Sequence, residues 1–315
     1  MLNDIEKLKK EIHKVVIGQE KLVNSLLIGL FSNGHILVEG VPGLAKTTAI
    51  NTLAKTLGLD FKRTQFTPDL LPSDILGAEI YNQKSSEFKL KKGPIFTNLL
   101  LADEINRAPA KVQSALLEVM QEKQVTLGDE TIKLEPPFLV LATQNPLEQE
   151  GVYPLPEAQL DRFMMKVVVG YNTEAEELQI LERFTSSRKI SVDEVINRDQ
   201  ITKIKSEIEK IHLDDQIKEY IVKLVFATRY PEKFGLENLK KYVYSGGSPR
   251  ATIDLTKVSK AKAYLNGKNF VSPTDIASVI YEVLRHRIVL TYEAESDGFT
   301  SDKLIENILQ TVNIP

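Results

Sequence analysis

The hydrophobic pattern of the first half of the chain alternates between two types of segment. Short runs rich in apolar or β-branched residues, typical of strands, lie at 35–39, 61–66, 97–102, 138–143 and 164–169. Segments with apolar residues three or four positions apart, typical of amphipathic helices, lie at 3–14, 20–32, 48–57 and 110–123. This alternation predicts the α/β class, with a five-stranded parallel sheet flanked by helices.

The second half of the chain has a different pattern, in which helical periodicity continues and strand-like runs stop. One predicted helix begins at Thr173, and others lie near 198–211, 214–229, 248–266, 273–289 and 301–312. The chain therefore divides near residue 171 into an α/β domain, 1–171, and an all-α domain, 172–315.

Two exposed hairpins are predicted to interrupt the α/β domain. Residues 79–92 alternate weakly between apolar and polar positions around Ser85-Ser86, and they carry several lysines, among them Lys84. Residues 124–134 alternate around a turn at Gly128-Asp129. Insertions of this kind on a rigid scaffold tend to contact partners.

The composition is that of an ordinary globular protein, with 315 residues, 42% hydrophobic and 26% charged residues, and a net charge of −3. This balance gives no support for a dedicated nucleic-acid or membrane-surface binder. The absence of cysteine excludes disulfides, thiolate metal sites and cysteine nucleophiles. The start of the chain lacks the apolar segment of a signal peptide, and no run approaches the roughly 18 apolar residues of a membrane span. We therefore expect a cytoplasmic protein without membrane insertion.

A Gly/Pro loop follows the first predicted strand: Gly40-Val41-Pro42-Gly43-Leu44-Ala45-Lys46-Thr47, with Thr48 next in the following helix. Backbone N–H groups of such a loop and the N-terminus of its helix can bind phosphate oxygens. Lys46 would reach the β- and γ-phosphates, and the Thr47 hydroxyl would bind Mg²⁺. Ala45 stands where G-x-x-x-x-G-K-[ST] has glycine. Either the backbone there avoids positive φ, or the segment is a plain turn before an ordinary helix.

Two carboxylates, Asp103 and Glu104, follow the third predicted strand. Open α/β sheets bind ligands at the carboxyl ends of their strands. There Asp103 would hold the Mg²⁺ shell and Glu104 would polarise the attacking water. Asn145, after the next strand, is either a residue that orients this water or bonds the γ-phosphate, or an Asn-Pro turn residue. The acidic pair alone also fits a polar loop, but its place in the same alternation as Lys46 favours a nucleotide site.

Three further features have both a structural and a functional interpretation. Ile17-Gly18-Gln19 is either a helix connector or a segment that contacts adenine. Arg162 ends a short helix, where arginines are commonly surface or capping residues. Arg250 lies in the first turn of a helix, where a cation is unfavourable, so it indicates an anion nearby unless its side chain simply faces solvent.

Taken together, these motifs resemble the AAA+ ATPases, and more closely the MoxR family within them, over nearly the whole chain. The stretches that carry the resemblance are 40–47, 101–108, 142–146 and 157–163, in the family's order and spacing. The family's phosphate loop also accepts alanine at the position of Ala45.

The resemblance implies a role for each motif. Lys46 and Thr47 are similar to the Walker A pair, Asp103 and Glu104 to the Walker B pair, and Asn145 to the sensor-1 residue. These roles imply that ATP/ADP and Mg²⁺ bind at the edge of the sheet.

The remaining motifs resemble segments that contact a neighbouring subunit, the γ-phosphate, the adenine base or the pore of a ring. Arg162 resembles an arginine finger that reaches a neighbouring subunit's nucleotide, and Arg250 resembles sensor 2, which links the lid to the γ-phosphate. Ile17-Gly18-Gln19 falls at the adenine contact. Segments 79–92 and 124–134 are similar to the helix-2 insert and the pre-sensor-1 hairpin, which in relatives project toward the pore of a ring.

The resemblance therefore implies a Mg²⁺-dependent ATPase that forms a homo-oligomeric, hexameric ring. Relatives act as chaperone-like remodellers that assemble or mature protein complexes, including metal-cofactor insertion, often with a partner that carries a von Willebrand A domain. One alternative is a magnesium-chelatase-like motor subunit, which differs by its partner. Another is a helicase-like ring that translocates DNA, mildly favoured by the lysines of 79–92 and opposed by the acidic tip of 124–134. Nucleic acid is therefore not the expected partner.

Overall fold

The computed structural model describes residues 2–41, 43–83, 86–146, 151–185 and 190–315. Three residues that the sequence singled out, Pro42, Lys84 and Ser85, lie outside the described residues. The chain forms two compact units, of which one holds 3–155 with 167–201 and the other holds 156–166 with 202–315. The division into 1–171 and 172–315 stays a prediction.

The first part of the chain alternates strands with helices. In order, its elements are α1 (Leu2–His13), α2 (Glu20–Phe31), β1 (Ile36–Glu39), α3 (Lys46–Thr56), β2 (Phe61–Gln65), α4 (Pro72–Leu76), β3 (Gly77–Asn82), β4 (Glu87–Lys92), β5 (Leu99–Asp103), a 3₁₀ turn (Ile105–Arg107), α5 (Ala110–Glu122), β6 (Gln124–Leu127), β7 (Glu130–Lys133), β8 (Leu139–Gln144), α6 (Glu157–Leu160), β9 (Met165–Val168) and α7 (Glu174–Thr185).

Five of these strands form one sheet in the order β2-β5-β8-β1-β9. The pairings of β2 with β5, β5 with β8 and β8 with β1 are parallel, and the apolar residues of the three middle strands are buried. This confirms the predicted fold class. Because parallel strands end at the same edge, the residues that follow β1, β5 and β8 are brought close together.

The two predicted hairpins are present as separate antiparallel pairs, β3 with β4 and β6 with β7. Tyr81 and Phe88 are cross-strand neighbours in the first hairpin, with ring centroids 5.2 Å apart and most of each side chain exposed. At the turn of the second hairpin Gly128 has φ +56, and a Cβ there would lie 2.2 Å from the Glu79 carboxylate. The positive φ therefore favours glycine at this turn, and any other residue would also require the Glu79 side chain to move.

The rest of the chain is mostly helical. Its elements are α8 (Arg198–Glu209), α9 (Asp215–Arg229), 3₁₀ helices at Pro231–Phe234 and Glu237–Tyr242, β10 (Val243–Ser245), α10 (Pro249–Leu265), α11 (Pro273–Ala277), α12 (Ile280–Leu284), β11 (Val289–Leu290), α13 (Tyr292–Ser296) and α14 (Ser301–Thr311). Asp214 and Ser248 cap α9 and α10 through their side-chain oxygens. Among the described residues, no helix combines the length and apolar character needed to cross a membrane.

Two expectations for this helical part are wrong. The helix predicted at 273–289 is broken into α11 and α12, and the Ser278 hydroxyl beside the break donates to the Asp275 carbonyl at 2.8 Å, which competes with the helical hydrogen bonds. Strands also do not stop after residue 172, because Val243 and Leu290 pair in the antiparallel ribbon of β10 and β11.

Candidate nucleotide site

The phosphate-loop candidate connects the end of β1 to the start of α3. Lys46 is the first residue of α3, and its Nζ donates to the Gly40 carbonyl at 2.6 Å. No side chain caps the N-terminus of α3 at Ala45. The N–H groups of its first turn therefore remain available to an anion, whose charge the helix dipole would also favour.

Ala45 has φ 55 and ψ 19, in the left-handed region. The expectation that the backbone avoids positive φ here is therefore wrong, because the alanine takes the conformation for which glycine is usual. A residue with a Cβ is about 1–2 kcal/mol less stable in this region. Glu104, with φ 56, is held in the same region. Backbone strain of this kind accumulates at functional sites, where the surrounding structure maintains it.

Lys46 is half-buried, and this burial lowers its pKa, while the nearby carboxylates of Asp103 and Glu104 oppose the shift. A lysine that has lost part of its hydration gains more from contact with an incoming phosphate than a fully solvated lysine does. The electrostatics of the loop therefore favour an anionic ligand.

Asp103, the last residue of β5, is held by two neighbouring strands. Its Oδ1 accepts a hydrogen bond from the Thr143 hydroxyl of β8 at 2.6 Å. Its Oδ2 accepts from Nε and Nη2 of Arg63 on β2 at 3.0 and 2.6 Å. The carboxylate is thus fixed in orientation and already lies beside a cation.

Glu104 is held in a similar way by different donors. Its Oε2 accepts from Nε2 of Gln65 at 2.6 Å and from Nη1 of Arg107 at 3.2 Å. Its backbone N–H donates to the hydroxyl of Thr143 at 2.9 Å. Both carboxylates therefore have fixed positions at the edge of the sheet, as a general base and a metal ligand require.

The loop and the carboxylates line one cavity of about 320 Å³. Its lining consists of Gly43, Leu44, Ala45, Lys46, Thr47, Thr48, Arg63, Asp103, Glu104, Thr143 and Asn145. Every residue between Gly43 and Thr48 that the sequence singled out lies here, together with both carboxylates and the buried Asn145.

Other residues expected to bind the nucleotide do not line this cavity. Val41 is half-buried next to it, and Pro42 is not described. Ile17, Gly18 and Gln19 instead pack against the segment that precedes α7. The side chain of Gln19 donates to the Gly170 carbonyl at 3.1 Å, and the Ile17 carbonyl accepts from the Asn172 side chain at 3.0 Å. Their contact with adenine stays a prediction.

Arg162 and Arg250 both belong to the second compact unit. Arg162 is half-buried and lies two residues after the end of α6. Arg250 lies in the first turn of α10, and its Nη1 donates to the carbonyl of Asp161 at 3.2 Å. Their roles toward a nucleotide stay predictions.

Sequence reasoning missed three side chains of the site, Arg63, Gln65 and Thr143. The first two lie on β2, which the sequence identifies as a strand without showing that β5 is its neighbour. In the observed register Gln65 pairs with Asp103. The signal that could have found them is the run of polar residues at the end of a strand in a sheet that is otherwise apolar.

Comparison with known proteins agrees with this fold and cavity, which define a P-loop ATPase. The family model described as "ATPase family associated with various cellular activities (AAA)" matches residues 35–165, and the AAA lid domain model matches residues 238–308.

Similar proteins cover almost the whole chain. Chaperone MoxR1 of Mycobacterium tuberculosis is 46% identical over 100% of this chain and 83% of its own length. The protein YeaC of Bacillus subtilis is 43% identical over 97% of this chain and 93% of its own length. A crystal structure from Cytophaga hutchinsonii has 53% identity and a TM-score of 0.95, and the match covers 100% of this chain and 96% of that one. The chain therefore belongs to the MoxR family of AAA ATPases.

Proposed function

We propose that the protein binds ATP with Mg²⁺ in the 320 Å³ cavity and hydrolyses it to ADP and phosphate. The observation that carries this proposal is the convergence of Lys46, Asp103 and Glu104 on one cavity at the N-terminus of α3. An uncapped helix N-terminus and a partly desolvated lysine suit a polyphosphate, and a pair of fixed carboxylates suits metal binding and water activation.

The residues of the site fit a magnesium ion. Mg²⁺ prefers oxygen donors and is usually bound by one or two protein groups together with substrate phosphates. The Asp103 carboxylate and the Thr47 hydroxyl both line the cavity and would supply these protein oxygens. When bound, the ion would neutralise charge that develops on the phosphate oxygens.

The chain's own residues would supply the remaining chemistry. Glu104 would accept a proton from the attacking water, and Asn145 would orient that water. Lys46 would hold the β- and γ-phosphates as a point charge. Arg162 would act on the nucleotide of a neighbouring subunit, where an arginine supplied in trans contributes roughly 10³–10⁵ in rate.

The test is phosphate release by the Glu104→Gln variant. This change keeps the shape of the side chain and removes its basicity, so we expect ATP binding to persist while hydrolysis falls by about 10²–10⁴-fold. Binding is measured with a fluorescent ATP analogue, in parallel with phosphate release. Undiminished hydrolysis would refute the general-base role, and absence of ATPase activity in the wild-type protein with Mg²⁺ would refute the proposed reaction.

We further propose that the protein forms a hexameric ring in the cytoplasm and remodels partner protein complexes. The name of the similar Chaperone MoxR1 supports a chaperone role. The exposed Tyr81–Phe88 pair on the first hairpin suits contact with polypeptide. The turn of the second hairpin, Gly128-Asp129-Glu130, is acidic, which opposes DNA translocation. The partner we expect carries a von Willebrand A domain, and metal-cofactor insertion is one form that this remodelling takes.

A nucleotide-dependent pull-down tests this role. Glu104→Gln loaded with ATP should retain its partner, whereas Lys46→Ala, which lacks the phosphate-binding lysine, should not. A partner protein enriched only by the first variant supports remodelling. Retention of DNA, with affinity that falls steeply with salt, would instead support the translocase. Equal recovery with both variants would contradict ATP-dependent engagement.

A further inference from the structure

Arg250 has an anionic partner inside its own compact unit. Its Nη1 lies 3.6 Å from Oδ2 of Asp161 and donates to the backbone carbonyl of the same residue at 3.2 Å. The hydroxyl of Ser248 also donates to Oδ2 of Asp161, at 3.1 Å. The anion that a cation at the start of α10 indicates is therefore supplied by the chain itself.

Asp161 is also held by a second arginine, Arg287, whose side chain is only 1% exposed. Nε of Arg287 donates to Oδ1 of Asp161 at 2.7 Å, and the same guanidinium donates to the Asp254 carboxylate and to the Phe163 carbonyl. Loss of the Asp161 carboxylate would leave the buried Nε–H of Arg287 without this acceptor, so the structure strongly favours the contact between Arg287 and Asp161.

The two arginines on Asp161 differ in how readily they can leave it. The Arg250 side chain is 42% exposed and its ion pair is long, and a solvated pair of this type contributes little to stability and is screened by salt. A phosphate group can displace a carboxylate from such an arginine because it offers more charge and more acceptor oxygens. Arg287 has no such freedom.

We infer that Asp161 is a positioning residue that holds Arg250 in competition with the γ-phosphate of a bound nucleotide. Arg287 keeps Asp161 in place during this exchange and, through the Phe163 carbonyl, also anchors the segment that carries Arg162. This inference rests on the proposed binding of ATP and on the sensor-2 role that the resemblance implies for Arg250. It predicts that Asp161 lowers the affinity for a nucleoside triphosphate and leaves the affinity for a diphosphate unchanged.

The experiment measures dissociation constants for ATPγS and ADP and compares their ratio among variants. Asp161→Asn removes the competing charge and keeps an oxygen for Arg287, so we expect the preference for ATPγS over ADP to rise about two- to fivefold, the scale of an exposed ion pair. Arg250→Ala should lower this preference, and the double variant should show no gain from Asp161→Asn.

Asp302→Asn is the matched control, because it removes a carboxylate from another arginine of the same unit, Arg285, and should leave the ratio unchanged. If Asp161→Asn unfolds, Asp161→Glu retains the charge and extends the carboxylate toward Arg250, which should lower the ratio.

The outcomes distinguish a failure of the sensing role of Arg250 from a failure of the competition by Asp161. If Arg250→Ala leaves the ratio at the wild-type value, the sensing role of Arg250 is wrong. If Arg250→Ala lowers the ratio and both Asp161 variants match the wild type, the sensing role stands and the competition by Asp161 is wrong.

Discussion

Gln65 and Glu104 are joined across two neighbouring strands by a hydrogen bond of 2.6 Å from the amide of the first to the carboxylate of the second. Gln65 ends β2, and its register partner is Asp103, the residue before Glu104. The orientation of the proposed general base therefore depends on a side chain from a different strand.

Loss of this hydrogen bond should slow hydrolysis. A hydrogen bond to a charged group contributes about 1.5–3 kcal/mol, so we expect Gln65→Ala to lower kcat by about ten- to a hundredfold and to leave ATP affinity unchanged. Steady-state phosphate release and nucleotide binding measure the two quantities. Lys62→Ala, an exposed position on the same strand, is the control and should match the wild type. A wild-type kcat in Gln65→Ala would contradict the role in orientation.

Lys46 should increase the affinity for ATP. Lys46→Ala removes a partly desolvated cation from the cavity, so the affinity for ATP should fall by about ten- to a hundredfold, the value of a charge-assisted hydrogen bond. Titration with a fluorescent ATP analogue measures this change. Lys55→Ala removes an exposed lysine from the last turn of the same helix and should bind ATP normally. Equal losses in both variants would indicate damage to α3 instead.

Arg162 should act between subunits. Arg162→Ala should bind ATP and lose hydrolysis, as should Glu104→Gln, since each lacks one part of the reaction. When the two inactive variants are mixed, some interfaces will combine an intact Glu104 with a neighbour's intact Arg162, and part of the activity should return. Mixtures that remain inactive, although they assemble by light scattering, would show that Arg162 does not act in trans.

The strained Ala45 offers a test of stability. Ala45→Gly relieves about 1–2 kcal/mol of left-handed strain and loses about 0.4–1 kcal/mol through the more flexible unfolded chain. We expect a small net gain in the free energy of unfolding, on the order of 0.5–1 kcal/mol by the same arithmetic. Ala49→Gly, in the buried and regular part of α3, should instead lose about 1 kcal/mol. Urea denaturation measures both, and losses of similar size would contradict the strain.

His35 should make stability depend on pH. Burial, which removes water from the charged form, lowers its pKa to about 4, and the hydrogen bond from Nε2 to the Met120 carbonyl opposes this shift only in part. Its Nδ1 accepts from the Val140 N–H, an arrangement that suits the neutral ring. The unfolded state, with a pKa near 6.5, binds the proton more readily, so stability is complete above about pH 6.5 and falls toward pH 4. At pH 5 this loss is about 2 kcal/mol.

Urea denaturation between pH 7.5 and 5 measures this dependence. His35→Gln should flatten the slope, and part of it should remain because burial also lowers the pKa of His286. His212→Gln changes an exposed histidine and should keep the full slope. A slope that is the same in His35→Gln and in the wild type would show that His35 is not the group responsible.

Hydrophobic patterning was sufficient to predict the sheet and the location of both carboxylates, because β5 and β8 are buried on both faces and leave little choice of structure. The break between α11 and α12 was not predictable in this way. Ile276, Ile280 and Val283 keep helical spacing across it and are all buried, and neither glycine nor proline marks the position.

The parts of the site that the sequence did not reveal depend on which elements become neighbours. Arg63 and Gln65 meet the carboxylates only because β2 lies beside β5, and the chain order of strands does not disclose the order in the sheet. The partner of Arg250 likewise depends on which elements become neighbours in the fold. An anion near that position was predicted, but its identity as Asp161 comes from the folded helical unit.

Thr143 is 1% exposed, and by burial alone valine, which has the same shape, would suit its position at the end of β8. Its hydroxyl nevertheless does two opposite things at once, accepting from the N–H of Glu104 and donating to the carboxylate of Asp103. Valine would remove the acceptor of the Glu104 N–H and the donor to Oδ1 of Asp103, so that the Asp103 carboxylate would keep its hydrogen bonds from Arg63 and lose the one from β8. One oxygen atom on the adjacent strand thus links Asp103 to Glu104, and a sequence with valine there would keep the lysine, both carboxylates and the asparagine of the site while losing this link.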